Sequence, residues 1–374
     1  MKKKVINLYS PEEGIHLTYN YYTMRSIKLF VMCLLLGALA VSCKNAPKEE
    51  KTPIGVQLYS VRGDMESDFY GTLKAISEMG YDGVEFAGLF GNTPEQVKAW
   101  CEELELNPIS AHVPLVDMID DIDGVIETYK AIGCKYLVVP YVTEERRPGA
   151  EKFEETVGVI GEIAKKVKDA GLTLLYHNHD FEFKTLEDGT YGLDYLYATV
   201  PADLLQTELD LCWVKYAGED PAEFLRKYSG RAPVVHFKDY FFEGEKEGDP
   251  YALIGMEEEA EQLKSTFEFR PMGCGVQDVQ SLLDAFKDAG SDWIIVEQDE
   301  PSMGLTPMEC IKKSICNLHH MMCPGDCCKE AEGECCKDGE HKCCKDGAAE
   351  GDCCKDGEHK CCKDGAAEGD CCKE

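Results

Sequence analysis

Residues 165–179 read KKVKDAGLTLLYHNH and show the pattern from which the fold is predicted. It begins inside the amphipathic pattern of a predicted helix, Phe153–Ala170. Gly171 follows, and glycine is the residue type that most often ends a helix. The apolar run Leu172–His177 then predicts a buried strand with a polar end. A helix, a glycine and a polar-ended strand therefore form one unit of the chain.

The same unit recurs along residues 53–322. Glycine again follows a predicted helix at positions 80, 133 and 290. Other helical patterns are Thr72–Met79, Pro94–Leu104, Ile122–Ile132, Pro221–Tyr228, Val276–Ala289 and Met308–His319. Strands are predicted at Ile54–Tyr59, Gly83–Ala87, Pro108–His112, Tyr136–Tyr141, Leu172–His177, Leu204–Asp210, Ala232–Lys238 and Trp293–Glu297.

Eight strand–helix alternations in about 270 residues predict an α/β fold, a (β/α)8 or TIM barrel. An open, doubly wound sheet is the alternative. That fold requires a glycine-rich phosphate loop after its first strand, where this chain reads LYSVR at 58–62. A loop from Phe241 to Arg270 is predicted to follow the seventh strand and to cover the barrel mouth.

Histidines and carboxylates collect at the ends of the predicted strands. These residues are His112, His177, His179, Asp210, His236 and Glu297. TIM-barrel active sites lie at the C-terminal ends of the strands. One such histidine alone is more often a structural core residue, but this set together favours a functional site.

Side-chain alternation along strands predicts that His177 and His179 share a face of their strand, and that His236 and Lys238 share a face of theirs. The predicted ligands of one divalent metal ion are His177, Asp210, His236 and Glu297. Mixed nitrogen and oxygen donors suit Mn, Co, Zn or Fe(II) better than Mg. Such an ion can hold two adjacent sugar oxygens and stabilise an enediolate.

The chain resembles the xylose isomerase-like barrel superfamily, in its branch of sugar phosphate isomerases and epimerases, over about residues 53–320. The segments that carry the resemblance are GVQLYS at 55–60, GVEF at 83–86, YHNHDFEF at 176–183, VHFKD at 235–239, PMGCG at 271–275 and VE at 296–297. The resemblance implies one metal held by Glu, Asp, His and Glu on strands five to eight.

The chain departs from the family pattern at His177, where the family has a Glu that also acts as a base. Epimerisation generally uses a base on each face of the reacting carbon, so this departure weakens an epimerase prediction. Cys274 also replaces the acidic residue of a family turn.

The predicted metal site suggests roles for the surrounding residues. Glu297 is predicted to remove a proton, and Lys238, His179 and Glu182 are the predicted groups that complete the reaction. The predicted substrate contacts are Glu85, His112, Trp213 and Arg270. A salt bridge between Lys238 and Asp239 at the rim is the alternative interpretation of that pair.

The leading functional prediction is a metal-dependent isomerase or epimerase that removes a proton beside the carbonyl of a sugar or keto-sugar. A dehydratase or lyase of a keto-sugar or keto-inositol at the same metal site is the first alternative. A non-catalytic sugar-binding or metal-binding lipoprotein is the second. The expected partner of either enzyme is a small sugar-like molecule.

Residues 52–322 carry 23 Lys and Arg against 51 Asp and Glu. Such an acidic body repels phosphate backbones and anionic headgroups. The charge therefore argues against nucleic acid as a partner and against the DNA-repair enzymes of this superfamily.

Residues 1–43 are predicted to be a bacterial export signal. The apolar stretch 27–42 is too short for a comfortable membrane span and ends in small residues. LAVSC at 39–43 resembles a lipoprotein cleavage box, so Cys43 is the predicted lipidation site, with Met24 as the true start. Residues 44–52 are a predicted tether, and a lipid anchor is the expected membrane contact, on the periplasmic side or at the outer membrane.

Residues 323–374 hold 13 of the 21 cysteines in a repeat, CCKDGEHKCCKDGAAEGD, that starts at 335 and again at 353. The tail has almost no apolar side chains, which predicts disorder. Its thiols, with His341 and His359, suit Zn or Cu(I). Disulfide formation, and a duplicated tail without a role, are the alternatives.

Overall fold

The computed structural model describes residues 52–244 and 266–322. The predictions for the export signal, for Cys43, for residues 44–51 of the tether and for the cysteine-rich tail lie outside these residues. Within the two described ranges, no helix is both long enough and apolar enough to cross a bilayer.

The strands of the described residues are β1 (Ile54–Gln57), β2 (Gly83–Phe86), β3 (Asn107–His112), β4 (Tyr136–Val139), β5 (Thr173–His177), β6 (Leu205–Asp210), β7 (Val234–Phe237), β8 (Asp239–Glu243), β9 (Thr266–Arg270) and β10 (Trp293–Val296). β1 to β7 and β10 form a closed barrel in which every pair is parallel. All eight predicted strands are barrel strands, and their predicted ends differ by at most two residues. The barrel prediction is confirmed.

The helices of the described residues are α1 (Arg62–Ser67), α2 (Phe69–Glu78), α3 (Pro94–Glu103), α4 (Leu115–Ile132), α5 (Phe153–Asp169), α6 (Gly192–Thr199), α7 (Leu211–Ala217), α8 (Pro221–Lys227), α9 (Val279–Ala289) and α10 (Pro307–Met322). Three of them, α1, α6 and α7, each six to eight residues long, were not predicted. The prediction for α4 covered only its second half. Asp121 has non-helical backbone angles there and separates the two halves.

The predicted loop from Phe241 to Arg270 is wrong at both of its ends. β8 starts one residue after β7 and pairs with β9 in an antiparallel arrangement that runs from Asp239–Arg270 to Glu243–Thr266. Aromatic packing stabilises this pair, because Tyr240, Phe267 and Phe269 are buried against α7 residues.

The barrel interior contains an apolar layer on the N-terminal side of the site. Its buried cluster comprises Ile109, Tyr136, Val138, Leu175, Val234 and Ile295. Leu175, Val234 and Ile295 each lie two residues before a predicted ligand, so strand alternation places the ligands on the same inner face, further along the strands. Gly55 is required in this layer, since a Cβ there would lie 2.5 Å from Ile109 Cδ1.

Candidate metal centre

The ends of β5, β6, β7 and β10 bring the four predicted metal ligands together. One donor atom from each of His177, Asp210, His236 and Glu297 lies within 4.8 Å of the other three. His177 Nε2 is 3.6 Å from Asp210 Oδ2, and His236 Nδ1 is 3.0 Å from Glu297 Oε2. All four side chains are buried. The arrangement is a candidate metal site.

Asp210 supplies a test of whether a cation suits this site. Its Oδ1 accepts the backbone N–H groups of Cys212 at 2.7 Å and Trp213 at 3.3 Å, and so caps α7. Its Oδ2 is buried and accepts no hydrogen bond from the described residues. Burial raises the pKa of Asp210 to about 7. A buried oxygen that lacks a donor, facing an imidazole nitrogen, suits a divalent cation with nitrogen and oxygen ligands.

Lys238 directs its ammonium group into the same site. Its Nζ is 2.5 Å from Asp299 Oδ2, 3.0 Å from Glu297 Oε2 and 3.7 Å from Asp210 Oδ2. Burial lowers the pKa of Lys238, but the carboxylates outweigh burial and hold that pKa well above its usual value. Burial alone would raise the pKa of Glu297, but Lys238 and then His236 outweigh burial and hold that pKa well below its usual value. Lys238 and Glu297 therefore form a buried ammonium–carboxylate pair.

The predicted rim salt bridge between Lys238 and Asp239 is wrong. Both side chains are buried, and Lys238 contacts the carboxylates at the strand ends instead. The carboxylate of Asp239 accepts backbone N–H groups at 2.9 to 3.1 Å from Tyr240, Gly273, Gly275 and Gln277. Asp239 thus fixes the start of β8 through these backbone hydrogen bonds. In contrast, the predicted shared face of His236 and Lys238 is confirmed, because both contact Glu297 Oε2.

A buried polar layer lies against the candidate ligands. Glu208 Oε1 is 2.6 Å from His112 Nε2, 3.1 Å from His177 Nδ1 and 3.0 Å from His236 Nε2. Glu85 Oε1 is 2.9 Å from His236 Nε2 and 3.0 Å from His112 Nε2. Burial lowers the pKa of His112, but Glu85 and Glu208 outweigh burial and raise that pKa to about 10.

The polar layer contains two predicted substrate contacts, Glu85 and His112. Glu85 is fully buried and also accepts hydrogen bonds from Gln57 Nε2 at 2.7 Å and Ser110 Oγ at 2.5 Å. Its oxygens are thus occupied by neighbouring side chains, whereas His112 is partly exposed. A direct contact of either residue with substrate stays a prediction.

His179 and Glu182 lie on one side of the candidate metal site. The His179 ring centroid is 5.3 Å from that of His177. Glu182 Oε2 accepts the backbone N–H of His179 at 2.8 Å, and its Oε1 accepts the hydroxyl of Tyr176 at 2.7 Å. Burial raises the pKa of Glu182 to about 8, while burial and then Lys238 hold the pKa of His179 well below its usual value.

Trp213 and the β8–β9 pair form an aromatic wall beside Lys238. Trp213 is fully buried, and Lys238 Nζ lies 5.4 Å from its ring and 4.9 Å from the ring of Phe269. The structure therefore brings Trp213 to the site. Arg270, at the end of β9, is paired with Glu268 at 3.0 Å. Substrate contacts by Trp213 and Arg270 stay predictions.

Two carboxylates of the site were not predicted. Glu208 lies two residues before Asp210, and Asp299 lies two residues after Glu297. The period of two along a strand puts Glu208 on the face of Asp210, so this signal was present in the sequence. Asp299 follows the end of β10 in a segment without regular structure, and its approach to Lys238 has no periodic signal.

A closed (β/α)8 barrel with a candidate metal centre at its strand ends defines the class of protein. The chain belongs to the xylose isomerase-like TIM barrel family, whose model matches residues 73–315.

Curated relatives of the chain are inosose dehydratases. The chain is 24% identical to the inosose dehydratase of Geobacillus kaustophilus (strain HTA426) over 189 residues, which cover 45% of this chain and 60% of that protein. It is 29% identical to the inosose dehydratase of Clostridium perfringens (strain 13 / Type A) over 147 residues, which cover 39% of this chain and 45% of that protein. The chain therefore spans about half the length of the curated relatives it matches.

Solved structures of similar fold include a sugar phosphate isomerase/epimerase from Parabacteroides distasonis ATCC 8503, with a TM-score of 0.56 and 19% identity over 73% of this chain and 95% of that one. The IolI protein with a binding zinc atom has a TM-score of 0.55 and 20% identity over 72% and 97% of the two chains. An L-ribulose 3-epimerase has a TM-score of 0.53 and 14% identity over 72% and 94%. At these identities the similarity establishes the fold alone.

Proposed function

We propose that the chain is a metal-dependent dehydratase of a keto-sugar or keto-cyclitol. The observation that carries this proposal is the buried contact between Lys238 Nζ and Glu297 Oε2, at 3.0 Å, beside the four candidate ligands. It provides a base and an acid on one side of the site. The curated relatives named inosose dehydratase support the same reaction class.

Dehydration needs a base for a C–H proton and an acid for the leaving hydroxyl. A bound divalent cation would polarise the substrate carbonyl as a Lewis acid. The Glu297 carboxylate, kept ionised by Lys238 and His236 despite its burial, removes the proton from the carbon beside the carbonyl. The electron pair of that C–H bond enters the new C=C bond.

The Lys238 ammonium group donates its proton to the leaving hydroxyl on the neighbouring carbon, and the C–O bond breaks with release of water. Glu297 then carries one extra proton and Lys238 lacks one. Because the two groups are in direct contact, the proton passes from Glu297 to Lys238 and restores the starting state. The reaction therefore requires no oxidant, reductant or other co-reactant.

Positioning of Lys238 is the role we propose for Asp299. Its carboxylate lies 2.5 Å from Lys238 Nζ and is itself buried. A contact this short orients the ammonium group while Glu297 and Asp210 are engaged with substrate or cation. Asp299 is thus a positioning residue and not a proton donor to substrate.

Isomerisation or epimerisation of a keto-sugar at the same site is the second candidate function. It requires a group that returns a proton to the carbon instead of releasing water. His179 is the candidate for this role because of its place beside the site, where its ring centroid is 5.3 Å from that of His177.

The two candidates are separated by following carbon deuteration and water loss together. The full chain, loaded with Mn²⁺, is incubated in heavy water with a keto-inositol and with a panel of unphosphorylated keto-hexoses. A dehydratase forms an unsaturated ketone that absorbs in the ultraviolet. An epimerase forms a deuterated stereoisomer of the substrate without that absorbance.

The Lys238→Met variant separates proton removal from loss of the hydroxyl group. In a dehydratase the variant retains deuterium exchange at the carbon beside the carbonyl, which depends on Glu297, but loses the unsaturated product. Glu297→Gln loses both signals, and Lys165→Met, at an exposed position of α5, leaves both unchanged. Unimpaired product formation by Lys238→Met would contradict the proposal.

A further inference from the structure

Three imidazole rings meet one buried carboxylate oxygen inside the barrel. Glu208 Oε1 is within 2.6 to 3.1 Å of a ring nitrogen of each of His112, His177 and His236. Glu208 is fully buried, and burial of a charged group has a high cost unless it is paired and hydrogen-bonded. TIM-barrel interiors are normally filled by layers of branched apolar residues. Because buried polar residues are unusual in a barrel interior, we expect this polar layer to have a role in the candidate metal site that it contacts.

The two histidines of the candidate metal site use opposite ring nitrogens for these contacts. His177 presents Nδ1 to Glu208, and its Nε2 faces Asp210 Oδ2 at 3.6 Å. His236 presents Nε2 to Glu208 and to Glu85, and its Nδ1 faces Glu297 Oε2 at 3.0 Å. Each ring therefore has one nitrogen in the polar layer and one in the candidate metal site.

An ionised carboxylate accepts hydrogen bonds and cannot donate them. The ring nitrogen that faces Glu208 must therefore carry a hydrogen. A cation that replaces the proton between His236 Nδ1 and Glu297 Oε2 would then bind the opposite nitrogen through the lone pair of a neutral ring. We propose that Glu208 is a positioning residue that sets the tautomers of both histidines, so that the metal is bound through Nε2 of His177 and Nδ1 of His236. The inference rests on the proposed metal site and is independent of dehydration.

A second cation is the competing explanation of the polar layer. One donor atom from each of His112, His177, Glu208 and His236 also lies within 4.8 Å of the others. If both groups held a cation, His177 and His236 would each bridge two ions and would have to lose both ring hydrogens. Glu208 Oε1 already contacts a ring nitrogen of each of the three histidines, whereas Asp210 Oδ2 in the candidate metal site accepts no hydrogen bond from the described residues, so one cation in the candidate metal site is favoured.

Glu208 and Glu85 differ in a way that makes the inference testable. Glu208 contacts both candidate histidine ligands, whereas Glu85 contacts His236 and His112. Glu85 also accepts hydrogen bonds from Gln57 and Ser110, which fix its position independently of the histidines. Loss of the Glu208 carboxylate should therefore weaken metal binding more than loss of the Glu85 carboxylate.

Mn²⁺ affinity of the full chain, measured by electron paramagnetic resonance, tests this order. Mn²⁺ is chosen because the thiols outside the barrel prefer softer metals. Outer carboxylate partners of metal-bound histidines contribute about 10- to 100-fold to affinity. Glu208→Gln is expected to lose that factor, Glu85→Gln less, and Glu162→Gln, at an exposed position, nothing.

Glu208→Asp serves as a second variant, because it keeps the charge but withdraws the carboxylate by one methylene. It should also weaken binding, and thermal unfolding of each variant shows whether it is folded. Wild-type Mn²⁺ affinity in both folded Glu208 variants would overturn the inference. Two ions per chain, one of which is lost in His112→Ala, would overturn it as well.

Nitrogen-15 NMR of histidine-labelled chain, loaded with Zn²⁺, gives an independent readout. Signals are assigned by comparison with His177→Ala and His236→Ala. The inference predicts metal at Nε2 of His177 and at Nδ1 of His236, with the opposite nitrogens protonated. The reverse assignment at either ring would overturn it. A chain that binds metal in the predicted way but never dehydrates a keto-sugar would refute the proposed function and leave this inference standing.

Discussion

Asp210 divides its two carboxylate oxygens between structure and the candidate metal site. Oδ1 caps α7 through the N–H groups of Cys212 and Trp213, while Oδ2 faces His177 and accepts no hydrogen bond from the described residues. Asn178 also holds Asp210 in place, because the Oδ1 of Asn178 accepts the backbone N–H of Asp210 at 2.9 Å. The two roles can therefore be separated by substitution.

Asp210→Asn should keep the helix cap and lose the metal. Asn is as good an N-cap residue as Asp, so the free energy of unfolding of the metal-free chain should change by less than about 1 kcal/mol. Asp210→Ala should lose about 1–2 kcal/mol through the cap as well. Since outer partners alone contribute about 10- to 100-fold, loss of a ligand should reduce Mn²⁺ affinity at least about 100-fold in both variants. Urea unfolding and Mn²⁺ titration check the two effects, and tight Mn²⁺ binding by Asp210→Asn would remove Asp210 from the ligand set.

Glu182 makes stability depend on pH. Burial raises its folded-state pKa from an ordinary value of 4.5 to about 8. Between these pH values the folded chain holds a proton that the unfolded chain has released, so the free energy of unfolding falls as pH rises, by up to about 1.4 kcal/mol per pH unit. The stabilisation is fully present below about pH 4.5 and is lost as pH rises through about 8.

Glu182→Gln removes this titration. The difference in free energy of unfolding between wild type and variant should shift in favour of the variant as pH rises from 5 to about 9. Urea unfolding of both proteins across that range is the measurement. Parallel pH curves for the two proteins would mean that Glu182 is ionised in the folded chain.

At the residue scale, the positions of polar residues at strand ends predicted the four candidate ligands. His177, Asp210, His236 and Glu297 stand at those ends, and the structure assembles them. Glu208 was not predicted, although it lies two residues before Asp210 and strand alternation therefore places it on the same face. Asp299 was missed because contacts made by a segment without regular structure depend on tertiary packing, which leaves no periodic trace in the sequence.

At the element scale, the β8–β9 pair is tied to the barrel by one carboxylate. Asp239 accepts the backbone N–H groups of Tyr240, Gly273, Gly275 and Gln277. Gly275 lies so close that an added Cβ would meet Asp239 Oδ1 and Tyr240 O. These contacts hold the start of β8, and therefore Lys238, in place.

Asp239→Asn replaces an acceptor oxygen with an NH₂ group that faces backbone donors. It should lower the free energy of unfolding by about 2–4 kcal/mol, since hydrogen bonds to a charged acceptor are broken and buried donors are left unpaired. Urea unfolding measures the loss. Asp278→Asn, which retains an N-cap residue on α9, should change stability by a few tenths of a kcal/mol. Equal effects of the two substitutions would contradict the anchoring role of Asp239.

The sequence predicted the barrel elements better than the mouth elements. Gly80, Gly133, Gly171 and Gly290 all have positive φ angles, which marks the helix ends that the pattern had predicted. The antiparallel pair beyond β7 was missed because its strands are stabilised by packing on Trp213 and Tyr216 rather than by a continuous apolar run. Packing of this kind depends on residues distant in sequence.

At the scale of the whole molecule, the site concentrates charge that the rest of the fold must accommodate. Glu85, Glu208, Asp210, Glu297 and Asp299 are all buried. A divalent cation bound only by the folded chain should therefore stabilise it. At a free Mn²⁺ concentration of 100 times Kd the gain is about 2.7 kcal/mol, or roughly 5 °C in Tm for a folded barrel of about 250 residues.

Thermal unfolding with and without Mn²⁺ checks this expectation, with Asp210→Asn as the control that should not respond. An equal rise in Tm for wild type and Asp210→Asn would indicate that the ion acts elsewhere on the chain.

The sequence before residue 52 and the sequence after residue 322 give a separate prediction. We propose export and lipidation at Cys43, and Cys43→Ser should then abolish incorporation of labelled fatty acid in a bacterial host while the barrel still folds. Undiminished labelling of Cys43→Ser would contradict it. For the tail, binding of Zn or Cu(I) stays a prediction, to be checked by metal analysis before and after alkylation of the thiols.

Four strand-end side chains should hold one divalent metal ion, and anomalous diffraction from crystals grown with Mn²⁺ is the measurement that decides this. One anomalous peak is expected at about 2.0–2.3 Å from His177 Nε2, Asp210 Oδ2, His236 Nδ1 and Glu297 Oε2. Well-ordered crystals that contain Mn²⁺ elsewhere, or no peak among these four residues, would contradict it.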